Sequence, residues 1–486
     1  MSAPVLRAGP LYAVLALAAS VRVALALALP NLFWPDEIYQ TIEPAHRLVF
    51  GNGIASFEWQ IGLRSYVVPG ALAAIIAATA PLGGGSTGYL AAIAVALSLL
   101  SLWPIAAAAR VAGAACGKNA ALLAAVLLAV WFDLVYFAPK ALTEVIAGNL
   151  LLPAVAIGML AAPNARRTVF AASALLATAT MIRPHLGPGA AVAWLWFVAR
   201  APRARGAAAL LGGALPVLAF GMIDWFTHGQ PFESLLVNVR FNVAEGHSLD
   251  WGWLPKHYYG VYLWRTWTPP VALCFGALWL VSLRRAPLPA VVAVAILGSH
   301  SLLGHKEYRF VYPALPLLLL GVAIGAATLV ERMHARQRAA ATVAVAVLFT
   351  VASLFAGADF HRAKTPTGLG DDRAATSYWT AFGDELRAMR CVSLRDDVRG
   401  VAITGIQWQF SGGYSWLHHD VPLYFVDCAE TPAPAWPYVN YVIARDRVVP
   451  TQFIEIARFG AVRVLRRDGA VETRENYDAS GALRGR

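Results

Sequence analysis

Charge is scarce in this sequence. Only 14% of its 486 residues are Asp, Glu, Lys or Arg, and 58% are hydrophobic, whereas ordinary soluble domains carry about 25% charged residues. The shortfall excludes a soluble enzyme. The apolar residues also stand in long runs, which indicates a chain that crosses a bilayer many times. Cysteine is scarce as well. Cys116, Cys274, Cys391 and Cys428 fall in no Cys-x-x-Cys or Cys/His spacing, and this excludes the common zinc patterns. No internal repeat is present, and the only low-complexity stretches are alanine-rich spans. The net charge of +11 would suggest nucleic acid in a soluble chain. In a membrane chain it is first a topology signal, and no nucleic-acid partner is expected.

Candidate spans lie at roughly 11–30, 89–109, 119–138, 145–162, 168–182, 188–199, 206–223, 268–283, 287–303, 310–330 and 339–357. A helix needs about 20 apolar residues to cross a hydrocarbon core. The runs 168–182 and 188–199 are short enough to form a re-entrant pair, which leaves the parity of the others unchanged. The first run follows Arg7 and precedes no small-x-small cleavage site, so it reads as a retained span. With the N-terminus cytoplasmic, the inner connections hold Arg7, Arg110, Lys118, Arg166, Arg167, Arg200, Arg203, Arg205, Arg284, Arg285, Arg332, Arg336 and Arg338. Glu331 is the one acid among them. That is the positive-inside pattern. The run 66–82 would flip every later loop if it spanned, so it reads as an outer-leaflet or re-entrant helix. Ionisable residues are expected to avoid the span centres and to gather at one face.

Charge returns in the tail. There Tyr438–Ala444 and Ala461–Leu465 alternate like strands and Asp384–Arg390 reads as a helix. The expected architecture is an α-helical polytopic membrane module of about 11 helices over 1–358. It includes the first extracytoplasmic loop with its interfacial helix at 31–86, and a small extracytoplasmic α+β domain follows over 359–486. Cys391 and Cys428 both fall in that domain, where an oxidising compartment permits a disulfide.

The first outer loop gathers Asp36, Glu37, His46, Glu58 and Arg64 among the interfacial aromatics Trp34, Phe50, Phe57 and Trp59. Pro35 suits a helix start, where a carboxylate is favoured by the dipole, and helical spacing puts Asp36, Gln40 and Glu43 on one face. An ordinary acidic cap is the plainer alternative. A second cluster, Gly304-His305-Lys306-Glu307-Tyr308-Arg309-Phe310, keeps cations on the side that should lack them, as Arg183-Pro184-His185 does more weakly. Cations retained there suggest a bound anion, phosphate above all. A plain loop with snorkelling side chains is the alternative. Lys140–Glu144, preceded by Asp133, forms a third outer turn that capping by Thr143 explains equally well.

Pro35-Asp36-Glu37 with Gln40, Glu43 and His46, then Gly51, Gly53, Phe57-Glu58-Trp59 and Arg64-Ser65, resembles the first luminal loop of one family. This is the polyprenyl-phosphate-mannose-dependent α-mannosyltransferases, the GPI-anchor and luminal N-glycan enzymes of the GT-C fold. His305–Phe310 is similar to its His-Lys-Glu-x-Arg-Phe motif, and Gly413–Leu423 to its C-terminal region. Trp34 stands where the family often has His, and Ser56-Phe57 where it often has Thr-Trp. Dense alanine and short loops suggest a bacterial member.

The resemblance implies inverting transfer of mannose from a polyprenyl-phosphate-sugar donor to a hydroxyl of a lipid-linked glycan or glycolipid. The reaction would occur at the periplasmic face of an inner membrane, or at the endoplasmic reticulum lumen in a eukaryote. Within that reading Asp36 is the base and Glu37 its partner or substitute. His305, Lys306 and Arg309, with Arg64 and Arg183, grip the donor phosphate. Gln40, Glu43, His46, Glu58, Trp59, Glu144 and Glu307 support the acceptor or orient the cations. No metal and no other cofactor is expected. Two readings stand beside it: the same fold with another polyprenyl-phosphate sugar such as arabinose, and a transporter or flippase of lipid-linked sugars.

Overall fold

Leucine, valine and alanine on every face make the helix Leu315–Glu331 apolar all round, and such a helix belongs inside a bundle. It is buried along nearly its whole length. It packs against the helices Leu102–Val130, Pro269–Ser282, Pro287–Ser301 and Ala335–Ala358. A Cβ at Gly321 would come within 2.5 Å of the Trp279 ring, and one at Gly325 within 1.9 Å of the Leu278 carbonyl oxygen. Two glycines four residues apart thus let neighbouring backbones approach, the small-residue packing typical of membrane helices.

The computed structural model describes residues 8–200, 202–358, 360, 377–426, 435–445, 447–472 and 479–480. Among these, six helical stretches are long and apolar enough to cross a membrane: Gly9–Ala28, Gly85–Val130, Thr143–Leu160, Arg205–His228, Tyr308–Glu331 and Ala335–Ala358. The shorter apolar helices Val67–Leu82, Pro269–Ser282 and Pro287–Ser301 accompany them. The run expected to stay out of the span count forms the 13-residue helix Val67–Thr79. At 1.5 Å per residue it reaches about 20 Å, short of a core of about 30 Å.

The chain divides into two compact units, one of Met1–Leu25 with Ala96–Ser377, the other of Ala26–Val95 with Tyr378–Arg486. Composition drew the line at 358/359 because it detects lipid-facing surface. Packing draws it elsewhere because the first loop bonds to the tail, as described below.

In the first unit, the long helix Leu102–Val130 breaks at Cys116 and Gly117, where Gly117 takes φ 73°. This falls in the connection expected between Arg110 and Lys118. A second break at Trp131 cuts short the span drawn at 119–138. It strands carbonyls that no helical N–H can reach. Arg22 Nη2 donates to the Leu128 carbonyl (2.8 Å), and the Ser353 hydroxyl donates to that of Val130 (2.7 Å). Arg22 Nη1 donates to the Ser101 carbonyl and hydroxyl at 2.8 and 2.6 Å.

Arg22 therefore corrects the expectation that ionisable residues avoid span centres. It lies within the first apolar helix, Ala8–Ala28, and is 1% exposed. It is tolerated there because helix carbonyls accept hydrogen bonds from its N–H groups, so it fastens helices together. Arg22→Met should leave the buried Leu128 carbonyl without its donor and destabilise the protein by about 1–3 kcal/mol. Thermal unfolding in detergent measures this, and an unchanged melting temperature refutes the role.

In the second unit, three fully or nearly fully buried strands, β1 (Val401–Thr404), β2 (Leu423–Phe425) and β3 (Tyr441–Arg445), run parallel in the order β2-β1-β3. Continuous apolar burial is what parallel strands require. The sheet is completed by the hairpin of β4 (Ile454–Phe459) and β5 (Val462–Arg466), with β5 antiparallel to β3. Gly460 at φ 54° makes the turn. The helix Gly383–Ser393 packs on β3, β4 and β5. The expected helix and two strands are thus present, shifted by up to three residues. The short β1 and β2 carry no alternation and were not anticipated. Cys391 lies in the helix, and Cys428 lies outside the described residues.

Candidate active site

The polar residues form two clusters, one in each unit. In the second unit, Pro35 opens a turn from which Asp36 and Glu37 start a helix that widens into a π-helical turn at Ile38–Ile42. Such turns recur at functional sites. The Gln40 amide donates to Asp36 Oδ1, four residues back, and to Glu58 Oε1 at 3.2 Å. Arg64 Nη2 donates to the same Glu58 oxygen at 2.6 Å. Asp36, Gln40, Glu58 and Arg64 thus form one chain of polar contacts. Glu37 is half-buried, and its carbonyl accepts the Thr41 hydroxyl (2.7 Å). The Trp59 indole donates to the Tyr39 carbonyl (2.9 Å), which seats the Phe57–Gln60 turn against the π turn.

Glu43 does not join this chain. Each residue of a π turn advances by less than the 100° of an α-helix, so Glu43 leaves the face of Asp36 and Gln40. Its buried carboxylate accepts the backbone N–H of Ile54 (2.9 Å), Tyr414 (2.8 Å) and Ser415 (2.8 Å). Burial pushes the carboxyl up, and those N–H groups pull it only partly back. Gly413 is required beside it: its φ is 61°, and a Cβ there would meet Glu43 Oε1 at 2.7 Å.

His46 is buried against Phe50, Tyr89 and His418. Its Nδ1 pairs with the Asn52 carbonyl at 3.0 Å. Burial drives the imidazole down to about 4, with the Asn52 carbonyl opposing in part. Between pH 4 and the ordinary 6.5, the unfolded chain therefore binds a proton that the folded chain refuses. Stability rises with pH across that window and is lost as pH falls toward 4, by about 3 kcal/mol in total. His46→Gln should flatten this slope. Melting temperatures at pH 4.5 and 7 measure it, and an equal slope in the variant refutes it.

In the first unit, Glu144 enters at the first turn of Thr143–Leu160 and is fully buried. Its Oε1 pairs with Arg183 and lies 3.5 Å from Arg309 Nη1. Arg309 grips Glu307 with two bonds, Nε–Oε2 at 2.8 Å and Nη2–Oε1 at 3.1 Å, and His305 Nε2 reaches that Oε1 at 3.1 Å. The Phe310 ring sits beneath both guanidiniums, 5.6 Å from Arg183 and 5.0 Å from Arg309. Burial raises the Glu307 carboxyl, but Arg309 and then His305 outweigh it and hold the group well below the usual carboxylate range. Two carboxylates thus hold two guanidinium forks in fixed orientation, the arrangement suited to bidentate recognition of an oxyanion.

Lys306 turns elsewhere. Its ammonium donates to the carbonyls of Leu254 (2.8 Å) and Leu303. The Leu254 N–H returns a bond to Gly304 (3.0 Å), so Lys306 ties the 303–306 loop to the 254 segment. His185 Nε2 contacts the Phe310 carbonyl at 3.0 Å, and its ring packs tilted against His300, centroids 4.4 Å apart. His300 was not anticipated from sequence, although a histidine flanked by Ser299 and Ser301 at the end of an apolar run is itself a signal. Asp133 accepts the indole N–H of Trp131 (3.0 Å) and of Trp267 (2.6 Å). Among the described residues, no group of three or more His, Cys, Asp or Glu could hold a metal ion.

The model of the Alg9-like mannosyltransferase family matches residues 13–374. GPI mannosyltransferase 3 of Yarrowia lipolytica is 28% identical over 340 residues, covering 64% of this chain and 62% of the relative. GPI mannosyltransferase 3 of Eremothecium gossypii is 29% identical over 399 residues, covering 65% and 66%. The match therefore spans just under two thirds of the length of these curated relatives. In structure the chain is similar to ArnT from Cupriavidus metallidurans bound to undecaprenyl phosphate. The TM-score is 0.61 at 14% identity, over 94% of this chain and 98% of the other. This likeness gives the GT-C fold.

Proposed function

The chain belongs to the Alg9-like mannosyltransferase family, and on that footing we propose that it transfers a mannosyl group from a polyprenyl-phosphate-mannose donor to an acceptor hydroxyl on a lipid-linked glycan or glycolipid. The reaction proceeds with inversion at the extracytoplasmic face. The acceptor oxygen attacks the anomeric carbon while the bond from that carbon to the phosphate oxygen breaks. Asp36 takes the hydroxyl proton as general base, with Glu37 orienting the acceptor. The phosphate departs with nearly two negative charges instead of one. Arg183 and Arg309 stabilise the added charge, aided by His305 and aligned by Glu144 and Glu307.

Lys306, held by carbonyls, acts here by fixing the loop that carries His305 and Arg309. Gln40, Glu58 and Arg64 keep the Asp36 carboxylate in place, Trp59 braces their turn, and Glu43 and His46 build the loop that presents them.

The observation that carries this reading is the carboxylate-aligned pair of guanidiniums at Glu144 and Glu307, inside the matched region of the family. Purified protein should move labelled sugar from polyprenyl-phosphate-mannose to endogenous lipid acceptor and leave a nucleotide-linked mannose untouched. Transfer from the nucleotide sugar alone would refute it.

A further inference from the structure

His300 closes the helix Pro287–Ser301 and is 5% exposed. Aromatic rings cover it: His185 at 4.4 Å, Tyr259 near-parallel at 6.1 Å, and Phe310 edge-on at 5.3 Å between centroids. Neither ring nitrogen has a hydrogen-bond partner among the described residues. An imidazole in any tautomer carries polar nitrogens at both ring positions, and buried polar groups are almost always paired.

The ring is also joined to the guanidinium network on two sides. Phe310 lies beneath Arg183 and Arg309, and the Phe310 carbonyl is held by His185, the residue packed against His300. A buried imidazole with both nitrogens open, packed against the ring that carries two guanidiniums, is placed to complete its bonding on the ligand those guanidiniums hold. We propose that His300 donates a hydrogen bond to a phosphoryl oxygen of the polyprenyl-phosphate donor and of the product it leaves behind, an assignment that rests on the reading above.

The test measures binding of undecaprenyl phosphate to the purified full-length protein, without any need for turnover. H300F keeps a ring of similar shape and removes both nitrogens. Exchanging an unpartnered polar group for an apolar one of like shape is neutral or stabilising, so unliganded H300F should melt at or above the wild-type temperature. Its affinity for undecaprenyl phosphate should fall by about 10–100-fold, the range for losing a hydrogen bond to a charged group. H300Q, which regains a donor and an acceptor, should recover most of that loss.

Equal affinity in H300F and wild type overturns the assignment. So does an H300F that melts lower or fails to fold, because that reveals a structural partner for the ring. A wild-type protein that does not bind undecaprenyl phosphate refutes the proposed function itself. Wild-type binding with an unaffected H300F refutes only the role of His300.

Discussion

Asp36→Asn should lower mannosyl transfer by about 10²–10⁴-fold, the usual contribution of a positioned general base. The substitution isolates one chemical property. Asparagine has the shape of aspartate and keeps an oxygen for the Gln40 amide, yet it cannot accept the proton that the attacking hydroxyl must lose. The side chain is only half-buried, so little of the stability should depend on it. The variant should accumulate and melt like wild type. Initial rates with polyprenyl-phosphate-mannose and a melting curve on the same preparation give both numbers. Glu37→Gln should cost less, because its part is orientation. A fully active Asp36→Asn enzyme would reject the base.

Arg309→Lys should lower kcat by about 10²–10³-fold, as the loss of one oxyanion donor commonly does. Charge is conserved and the fork is lost. Lysine cannot span both Glu307 oxygens, which Arg309 holds at 2.8 and 3.1 Å, nor present a planar edge to phosphate. The second phosphate charge develops as the sugar leaves, so the loss should fall on kcat more than on donor KM. Steady-state kinetics at varied donor concentration separate the two. An unchanged kcat, or a change in KM alone, would remove Arg309 from the chemistry. Arg183→Lys should behave alike, and the pair should be non-additive because both share Glu144.

Much of this was legible before any coordinates. Sparse charge and the sidedness of arginine gave a polytopic helical chain, and i to i+4 spacing gave the Asp36–Gln40 contact. What stayed hidden depends on backbone groups whose freedom is set by tertiary structure. Lys306 reads as a phosphate cation until the carbonyls of Leu254 and Leu303 surround it. Glu43 reads as a third member of the Asp36 face until the π turn rotates it toward Ile54 and Tyr414. Arg22 looks misplaced until the break at Trp131 frees the carbonyl of Leu128. Hydropathy sees side chains and is blind to backbone carbonyls and N–H groups left without helical partners, so it missed what those three residues do. His300 escaped for a related reason: the short polar triplet Ser299–Ser301 at the end of an apolar run scarcely alters a window average.

The carboxylate of Glu43 closes on Tyr414, 371 residues later in the chain. At roughly 5–20 residues per second, a ribosome needs about 20–70 s to cover that distance. Through that interval the opening loop has been translated while the backbone it grips does not yet exist. Its acidic side chain must meanwhile stay hydrated, since an unpartnered charge in a dry interior is too costly to hold. The loop bearing Asp36 can therefore set only after translation has passed Ser415. Protein lacking the last stretch of tail would insert its helices and yet leave the opening loop unfinished.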